Sequence, residues 1–317
     1  MNKNSIKKLI LCVIGMLTFA NVYAQVVPPK ITNYDFHDQS CIHNISDNGK
    51  WAVSVGPGQS DASMYTNARL INLETGEVTN LGLENDETTP LACSAWDVTD
   101  DGMAVGSHKG RPAYYIKGKG WNYLDVPLGW GGGGLESVTP DGKYAVGRAI
   151  SANSWNETAV LYDLTTGDIL DTPGIPTKGS NGEDFQQVRF TNITGDGRYI
   201  EGIGDYSYTW NTLGFIYDRQ ENKCIRPGYN DDGTPVQKGV YIESGLFSPN
   251  GKWYVGTARV QSGDDDTECP FRYNMETKEF TFLSGSAQGY SCVSVDNEGT
   301  MYASTPPNTP VRTLYVF

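Results

Sequence analysis

Positive charge, histidine and long hydrophobic runs are all scarce in this 317-residue sequence. Its 24 Lys and Arg are outnumbered by 37 Asp and Glu, giving a formal net charge of −13. This acidity argues against a nucleic-acid-binding protein, because phosphate backbones attract basic surfaces. Only three His are present, and no Ser/His/Asp arrangement is recognisable, so no catalytic triad is indicated. Beyond the N-terminal region, no apolar stretch is long enough to cross a bilayer.

The cysteines form no recognisable framework. Cys12 lies in an N-terminal apolar run, and the other five, an odd number, lack Cys-x-x-Cys spacing. We therefore predict buried free thiols, with no disulfide and no zinc site. These five residues are Cys41, Cys93, Cys224, Cys269 and Cys292.

Cofactor motifs are also missing. The acidic stretches at 230–233 and 264–268 do not fit the twelve-residue calcium loop. The run Gly131–Gly134 lacks the Lys-Ser/Thr of a phosphate loop, so we interpret it as a flexible connection. No metal and no cofactor are predicted.

The N-terminus has the pattern of a secretory signal peptide. Three lysines within the first eight residues precede an apolar run from Leu9 to Phe19, and Val22-Tyr-Ala24 is a small-x-small cleavage site. We expect residues 1–24 to be removed and residues 25–317 to be periplasmic or extracellular. An uncleaved N-terminal anchor is the alternative. Because Leu11 precedes Cys12, where lipoproteins have a small residue, we expect no lipid anchor.

A repeat organises the rest of the chain. Six segments consist of an apolar strand, a turn containing Asp-Gly, Asn-Gly or Glu-Gly, and a second apolar strand, at intervals of 40 to 55 residues. A further hairpin follows most of them, so each repeat is predicted to be a four-stranded antiparallel meander. The turn glycines are Gly49, Gly102, Gly142, Gly197, Gly251 and Gly299.

The repeat resembles known families. The turns Ser248-Pro-Asn-Gly-Lys252 and Thr139-Pro-Asp-Gly-Lys143, with Asp163-Leu-Thr-Thr-Gly167, resemble those of WD-repeat-like and TolB-like secreted propellers. The segment from Ala95 to Ser107, followed by Ala113-Tyr-Tyr-Ile, is similar to the bacterial extracellular HAF-type repeat. The resemblance covers about residues 39 to 317. It implies a β-propeller fold and a binding or assembly platform at least as often as an enzyme, with no shared catalytic motif.

Six turns predict an all-β, six-bladed β-propeller built of four-stranded antiparallel blades. The last repeat is short, because only the segment 310–317 follows Ala303, which suffices for a third strand. We expect residues 29–36 to supply the fourth strand and so close the molecule, which removes an open sheet edge. The alternative is that the blade continues in sequence beyond Phe317.

The ligand is predicted to lie on the face opposite the glycine turns, where the loops are longer and differ from one another. Aromatic rings beside Asn, Asp and Ser in these loops suit sugars or peptides. The alternative is that the rings cover the ends of the blades. The candidate residues are Trp130, Trp155, Tyr206, Tyr208, Trp210 and Tyr229.

Charged residues are expected at the same end of the inner strands. Counting back from the turn glycines places Arg189 opposite Glu243, with Glu136 nearby. We predict a binding module whose partner is a glycan, a peptide or another protein. The alternative is a propeller enzyme, a glycan or peptide hydrolase or lyase, using these carboxylates as acid and base. A structural ion pair is the third interpretation.

Overall fold

Antiparallel β-strands form the regular structure of the chain in the computed structural model, which describes residues 41–55, 68–82, 93–154, 156–178, 184–205, 213–230, 240–262, 265–282, 291–304 and 314–316. No helix occurs in these ranges, and in particular none that is long and apolar enough to cross a membrane. The predicted closing strand at 29–36 lies outside the described residues.

The strands follow one another as meanders. The first contains β1 (Cys41–Ile45), β2 (Trp51–Val55), β3 (Arg69–Asn72) and β4 (Val78–Asn80). The second contains β5 (Cys93–Val98), β6 (Ala104–His108), β7 (Arg111–Ile116) and β8 (Gly120–Tyr123). The third contains β9 (Trp130–Val138), β10 (Tyr144–Ser151), β11 (Glu157–Asp163) and β12 (Asp168–Leu170).

The fourth meander contains β13 (Gln187–Ile193), β14 (Tyr199–Asp205), β15 (Leu213–Asp218) and β16 (Lys223–Ile225). The fifth contains β17 (Val240–Phe247), β18 (Trp253–Ser262), β19 (Asp265–Asn274) and β20 (Phe280–Phe282). A last group has three described strands, β21 (Ser291–Val295), β22 (Met301–Ser304) and β23 (Leu314–Val316). The third and fourth meanders are joined by a single parallel bridge between Glu157 and Gln187. Antiparallel four-stranded meanders are thus confirmed for the first five repeats.

The turn between the first two strands of each group has the predicted glycine. All six glycines have positive φ, between 68° and 87°, a conformation that costs other residues strain. Close packing is a second reason why two of these turns need glycine. A Cβ at Gly102 would lie 2.6 Å from the ring of Trp51, and one at Gly299 would lie 2.6 Å from the ring of Trp253. The Trp that follows one turn thus covers the glycine of the next, which ties successive meanders together.

Buried apolar clusters join neighbouring meanders rather than filling one centre. Val53 and Leu70 of the first meander pack with Ala95 and Val98 of the second. Equivalent clusters join the second to the third, the third to the fourth, the fourth to the fifth, and the fifth to the last group. The second to fifth meanders therefore each pack against the sheets before and after them, which is the packing that radial sheets require.

Every first strand carries a β-bulge, a single extra residue that re-aims side chains. The bulged positions nearest the glycine turns are His43, Trp96, Glu136, Thr191, Glu243 and Val293, and β9 has a second bulge at Gly131. In the third meander, Gly147 lies opposite the bulge, and a Cβ there would lie 2.1 Å from the carbonyl oxygen of Gly134. This close backbone approach explains why several second strands have a glycine at this point.

The run Gly131–Gly134 lies within β9, so its interpretation as a flexible connection is wrong. Neighbouring backbone approaches it from two sides. The amide of Gly133 donates to the carbonyl of Gly110 at 3.0 Å, and a Cβ at Gly133 would lie 2.2 Å from the carbonyl oxygen of Arg148. Glycine is needed here for close packing between the second and third meanders. Trp130, predicted to lie in a loop, is instead the first residue of β9.

Candidate functional site

A cavity of about 540 Å³ opens where the first strands of the second, third and fourth meanders begin. Three of its lining residues, Trp96, Glu136 and Thr191, are bulged positions of these strands. Arg148 of β10 and Arg189 of β13 complete the charged part of its wall. Gly110, Gly133 and Gly134 supply bare backbone on another side. We call this space the mouth cavity.

Two arginines and two glutamates form a chain of ion pairs at the mouth cavity. Arg148 Nη1 donates to Glu136 Oε1 in a short contact, and Arg148 Nε lies 3.1 Å from Glu157 Oε1. Arg189 Nη1 lies 3.4 Å from the other oxygen of Glu157. The glutamate side chains are 15% and 12% exposed, whereas Arg189 is 33% exposed. The network is neutral overall, and Arg189 is its most accessible member.

Burial dominates the electrostatics of Glu136. Its pKa is raised above the ordinary value because loss of water outweighs the attraction of Arg148 and Arg189, and Glu157 adds a smaller repulsion. A carboxyl group with this property can bind a proton more readily than a surface glutamate. The mouth cavity therefore combines a guanidinium that can bind an acidic or hydroxyl group with a carboxyl that can exchange a proton.

A second cavity of about 520 Å³ follows the same strands toward the glycine turns. Residues of β1, β5, β9, β13, β17 and β21 all line it, and Trp96 and Thr191 line both cavities. We call it the axial cavity. Residues of six first strands thus line one space, as expected of the inner strands of propeller blades.

Hydrogen bonds to Asp97 join neighbouring meanders at the wall of the axial cavity. We call Asn44, Asp97 and Ser137 the polar belt. Asn44 Nδ2 and the amide of Val98 donate to Asp97 Oδ1, each at 2.8 Å. Ser137 Oγ and the amide of Val138 donate to Oδ2 at 2.8 and 2.9 Å. One carboxylate thereby joins the first, second and third meanders. Burial raises the pKa of Asp97 to about 6 even though the hydrogen bonds from Val138, Ser137 and Val98 oppose the increase.

Glu201 joins the fourth and fifth meanders in the same way, through hydrogen bonds to a buried carboxyl group. Its carboxyl group accepts hydrogen bonds from the amide of Gly245, from Tyr254 Oη at 2.9 Å and from Thr191 Oγ1 at 2.8 Å. The side chain is fully buried, which raises its pKa to about 7. No cation lies among these partners, so the charge is stabilised by dipoles alone.

The predicted site residues separate into groups. Glu136 and Arg189 both line the mouth cavity, but the described ion pair of Arg189 is with Glu157. The Glu243 side chain lies outside the described residues, so its pairing with Arg189 stays a prediction. Trp130 packs against the core cluster joining the second and third meanders and does not line the mouth cavity. Trp155, Tyr206, Tyr208 and Trp210 lie outside the described residues.

Tyr229 lies elsewhere, beside β16, where its ring packs 4.0 Å from the Arg226 guanidinium carbon. It lines a separate cavity that shares no residue with the mouth cavity. Neither Trp130 nor Tyr229 therefore lines the mouth cavity, and a common aromatic face formed by the other four residues stays a prediction.

Four charged side chains at the two cavities or in the buried hydrogen-bond networks were not predicted from the sequence. Arg148 and Glu157 lie on the second and third strands of their meander, and counting back from the turn glycine examined only first strands. Asp97 could have been found, because the position five residues before the turn glycine is polar in five of six repeats. Glu201 has no such signal, since the corresponding residue of other repeats is apolar.

The cysteine prediction is tested in part. Cys93, Cys224 and Cys269 are free, and burial raises the pKa of all three thiols. Cys269 lies in the middle of β19. The side chains of Cys41 and Cys292 lie outside the described residues, so the absence of disulfides stays a prediction for them.

Comparisons with known proteins identify a fold but no family. No protein-family model and no curated protein matches the chain. Solved structures that resemble it include TolB-like and other β-propeller proteins. An oligogalacturonate lyase in complex with manganese is 15% identical, with a TM-score of 0.57, over 88% of this chain and 75% of that one. A putative TolB from Agrobacterium tumefaciens is 14% identical, with a TM-score of 0.50, over 79% of this chain and 82% of that one. TolB from Acinetobacter baumannii is 14% identical, with a TM-score of 0.43, and this chain covers 56% of its length while 75% of this chain is aligned.

Proposed function

We propose that this chain is a six-bladed β-propeller that is exported and acts as a binding module, with its ligand at the mouth cavity. The lining of the axial cavity by six first strands supports the blade number. The N-terminal pattern of lysines, an apolar run and Ala24 supports export. N-terminal sequencing of the exported protein should give Gln25. A protein that begins at Met1 in the envelope would contradict cleavage.

Closure by residues 29–36 forms part of this proposal. β23 is the last described strand of its group, and a fourth strand beside it would cover an edge that otherwise invites pairing with other chains. Deleting residues 25–36 should lower the melting temperature by far more than the few degrees expected for a frayed terminus. An unchanged melting temperature would show that the segment does not close the molecule.

The observation that carries the binding function is the composition of the mouth cavity. Arg189 is partly exposed and held in place by Glu157, Trp96 offers a ring, and the glycine backbone leaves room for a ligand to approach closely. Such a wall suits a polar ligand with hydroxyl or carboxylate groups, so a glycan or a peptide fits better than an apolar molecule.

The test is a glycan and peptide array followed by titration of any ligand found. Arg189→Gln and Trp96→Ala should each weaken binding about tenfold, the effect of losing one charge-assisted hydrogen bond or one stacked ring. Lys252→Gln is the matched control, because Lys252 lies on the fifth meander, away from the mouth cavity, and pairs only loosely with Glu276 at 3.7 Å. Equal losses in all three variants would exclude the mouth cavity as the binding site.

A second candidate function is an enzyme that uses Glu136 as acid or base. The raised pKa of Glu136 favours it, because proton transfer is most efficient when the pKa approaches the working pH. Since one similar structure is an oligogalacturonate lyase, oligogalacturonate with and without Mn²⁺ is the first substrate to test. Turnover abolished by Glu136→Gln would establish the enzyme. Binding of a ligand without turnover would instead support the binding module.

A further inference from the structure

A third cavity, of about 450 Å³, lies between β16 with the turn that follows it and the strands β19 and β20. Three of its lining residues are cations, namely Lys223, Arg226 and Lys278, and none of the lining residues is acidic. The whole sequence has 37 acidic residues against 24 basic ones, so a wall with only positive charges departs from the rest of the chain. Coulomb attraction therefore favours an anion here.

Arg226 is the central group of this cavity. Its guanidinium carbon lies 4.0 Å from the centroid of the Tyr229 ring, which fixes the plane of the group. Its Nε and Nη2 atoms are buried and, within the described part of the chain, have no hydrogen-bond partner. These two atoms are adjacent donors on one edge of the guanidinium, the pair that forms two parallel bonds to a carboxylate or a phosphate.

A buried guanidinium edge without a partner is unfavourable, and an anion that reaches it removes part of that penalty. The two lysines line the same cavity. Lys223 is exposed on β16, and Lys278, also exposed, has its Nζ 5.9 Å from the centroid of the Tyr273 ring. Tyr229, Tyr273 and Phe280 add apolar ring surface to the wall. The cavity thus combines one planar donor fork, two mobile ammonium groups and three aromatic rings.

We propose that this cavity is a binding site for the anionic group of a small ligand, a carboxylate or a phosphate, with Arg226 as the main anchor. The anion binds at Arg226, whose buried Nε and Nη2 it reaches when the guanidinium turns toward the cavity, and the lysines supply long-range attraction. A carboxylated sugar and free phosphate share this chemistry, and the rings give a sugar additional contact surface. The site is separate from the mouth cavity, and this proposal does not depend on whether the mouth cavity binds a ligand.

The test is calorimetric titration of the purified protein with inorganic phosphate, with glucuronate and with glucose at the same ionic strength. We expect saturable binding of phosphate or glucuronate and none of glucose. Arg226→Gln should weaken that binding about tenfold or more, and Lys223→Gln by a smaller factor that shrinks as salt is added. Lys252→Gln removes one positive charge from the fifth meander outside the cavity and should leave the affinity unchanged.

The pattern of results identifies the ligand class or rejects the site. Binding of glucuronate alone points to a carboxylated sugar, and binding of phosphate alone points to a phosphate. No saturable binding of either anion, binding of glucose as tight as that of glucuronate, or an unchanged affinity in Arg226→Gln would each overturn the proposal. Should Arg226→Gln fail to fold, Lys223→Gln and the salt dependence decide the question, since Lys223 is exposed and its replacement is not expected to affect folding.

Discussion

Glu201 makes a sharp test of the buried electrostatics, because one substitution separates its charge from its hydrogen bonds. Glu201 Oε1 accepts from the amide of Gly245 and from Tyr254 Oη, and Oε2 accepts from Thr191 Oγ1. In Glu201→Gln the amide oxygen can keep the first two bonds. The new Nε2 can donate to Thr191 Oγ1, whose hydroxyl hydrogen is free to rotate. The substitution therefore removes the ionisable carboxyl group and preserves the hydrogen-bonding pattern.

The sign and size of the effect follow from the raised pKa. The folded-state pKa of Glu201 is about 7, compared with an ordinary value of 4.5. A raised carboxyl pKa contributes stability that is fully present below about pH 4.5 and is lost as the pH rises through about 7. This difference corresponds to about 3 kcal/mol of unfolding free energy. Glu201→Gln should match the wild type within about 1 kcal/mol at pH 4.5 and exceed it by about 3 kcal/mol at pH 8.5.

The assay is urea unfolding of wild type, Glu201→Gln and the control Glu276→Gln at several pH values between those limits. Glu276 is exposed, so its variant should follow the wild type at every pH. Comparing variants at each pH cancels the titration of other groups. Parallel curves for wild type and Glu201→Gln would refute the argument, because they would mean that Glu201 ionises in the folded protein as easily as in the unfolded chain.

Three further predictions concern other buried groups. Asp97→Ala leaves four donors without their acceptor and should lower the free energy of unfolding in urea by about 3–5 kcal/mol. The control Asp168→Ala on exposed β12 should lower it by under about 1 kcal/mol. Similar losses in the two variants would contradict the structural role of the polar belt. Gly147→Ala places a Cβ 2.1 Å from the Gly134 carbonyl oxygen and should cost about 2 kcal/mol or more, which an unchanged melting temperature would disprove. Because Cys93 is buried and its thiol pKa is raised to about 11, it should resist iodoacetamide at pH 8 until the protein unfolds, and modification at the rate of a free thiol would show that it is accessible.

The meanders could be predicted from the sequence because their signals are local. Gly142 or Gly197 marks a turn through its own backbone conformation, and the alternating apolar residues on either side mark the strands. The second hairpins follow the same logic, although Asn222 and Lys278 take the left-handed conformation where other repeats have glycine. Local rules of this kind need no knowledge of the neighbouring repeat.

The sites were less predictable because their partners belong to different strands. Glu136 and Arg189 could be placed near one another by counting along first strands, but Arg148 and Glu157, which connect them, are revealed only by pairing across the sheet. The glycine run was wrongly predicted to be a flexible connection for a similar reason. Its function is to admit the backbones of Gly110 and Arg148, and neither is visible from the composition of the run itself.

The fifth meander shows how one shifted bulge changes a site. Its bulge is at Glu243, eight residues before the turn glycine, whereas the other first strands have it six residues before. Position 245, equivalent by counting to Glu136, therefore lies in regular pairing and presents its amide to Glu201. A Cβ at Gly245 would lie 2.6 Å from the Tyr254 ring, the same ring whose hydroxyl bonds Glu201. Only glycine at 245 lets both donors reach Glu201, so the position of the bulge and the burial of this carboxyl group depend on each other.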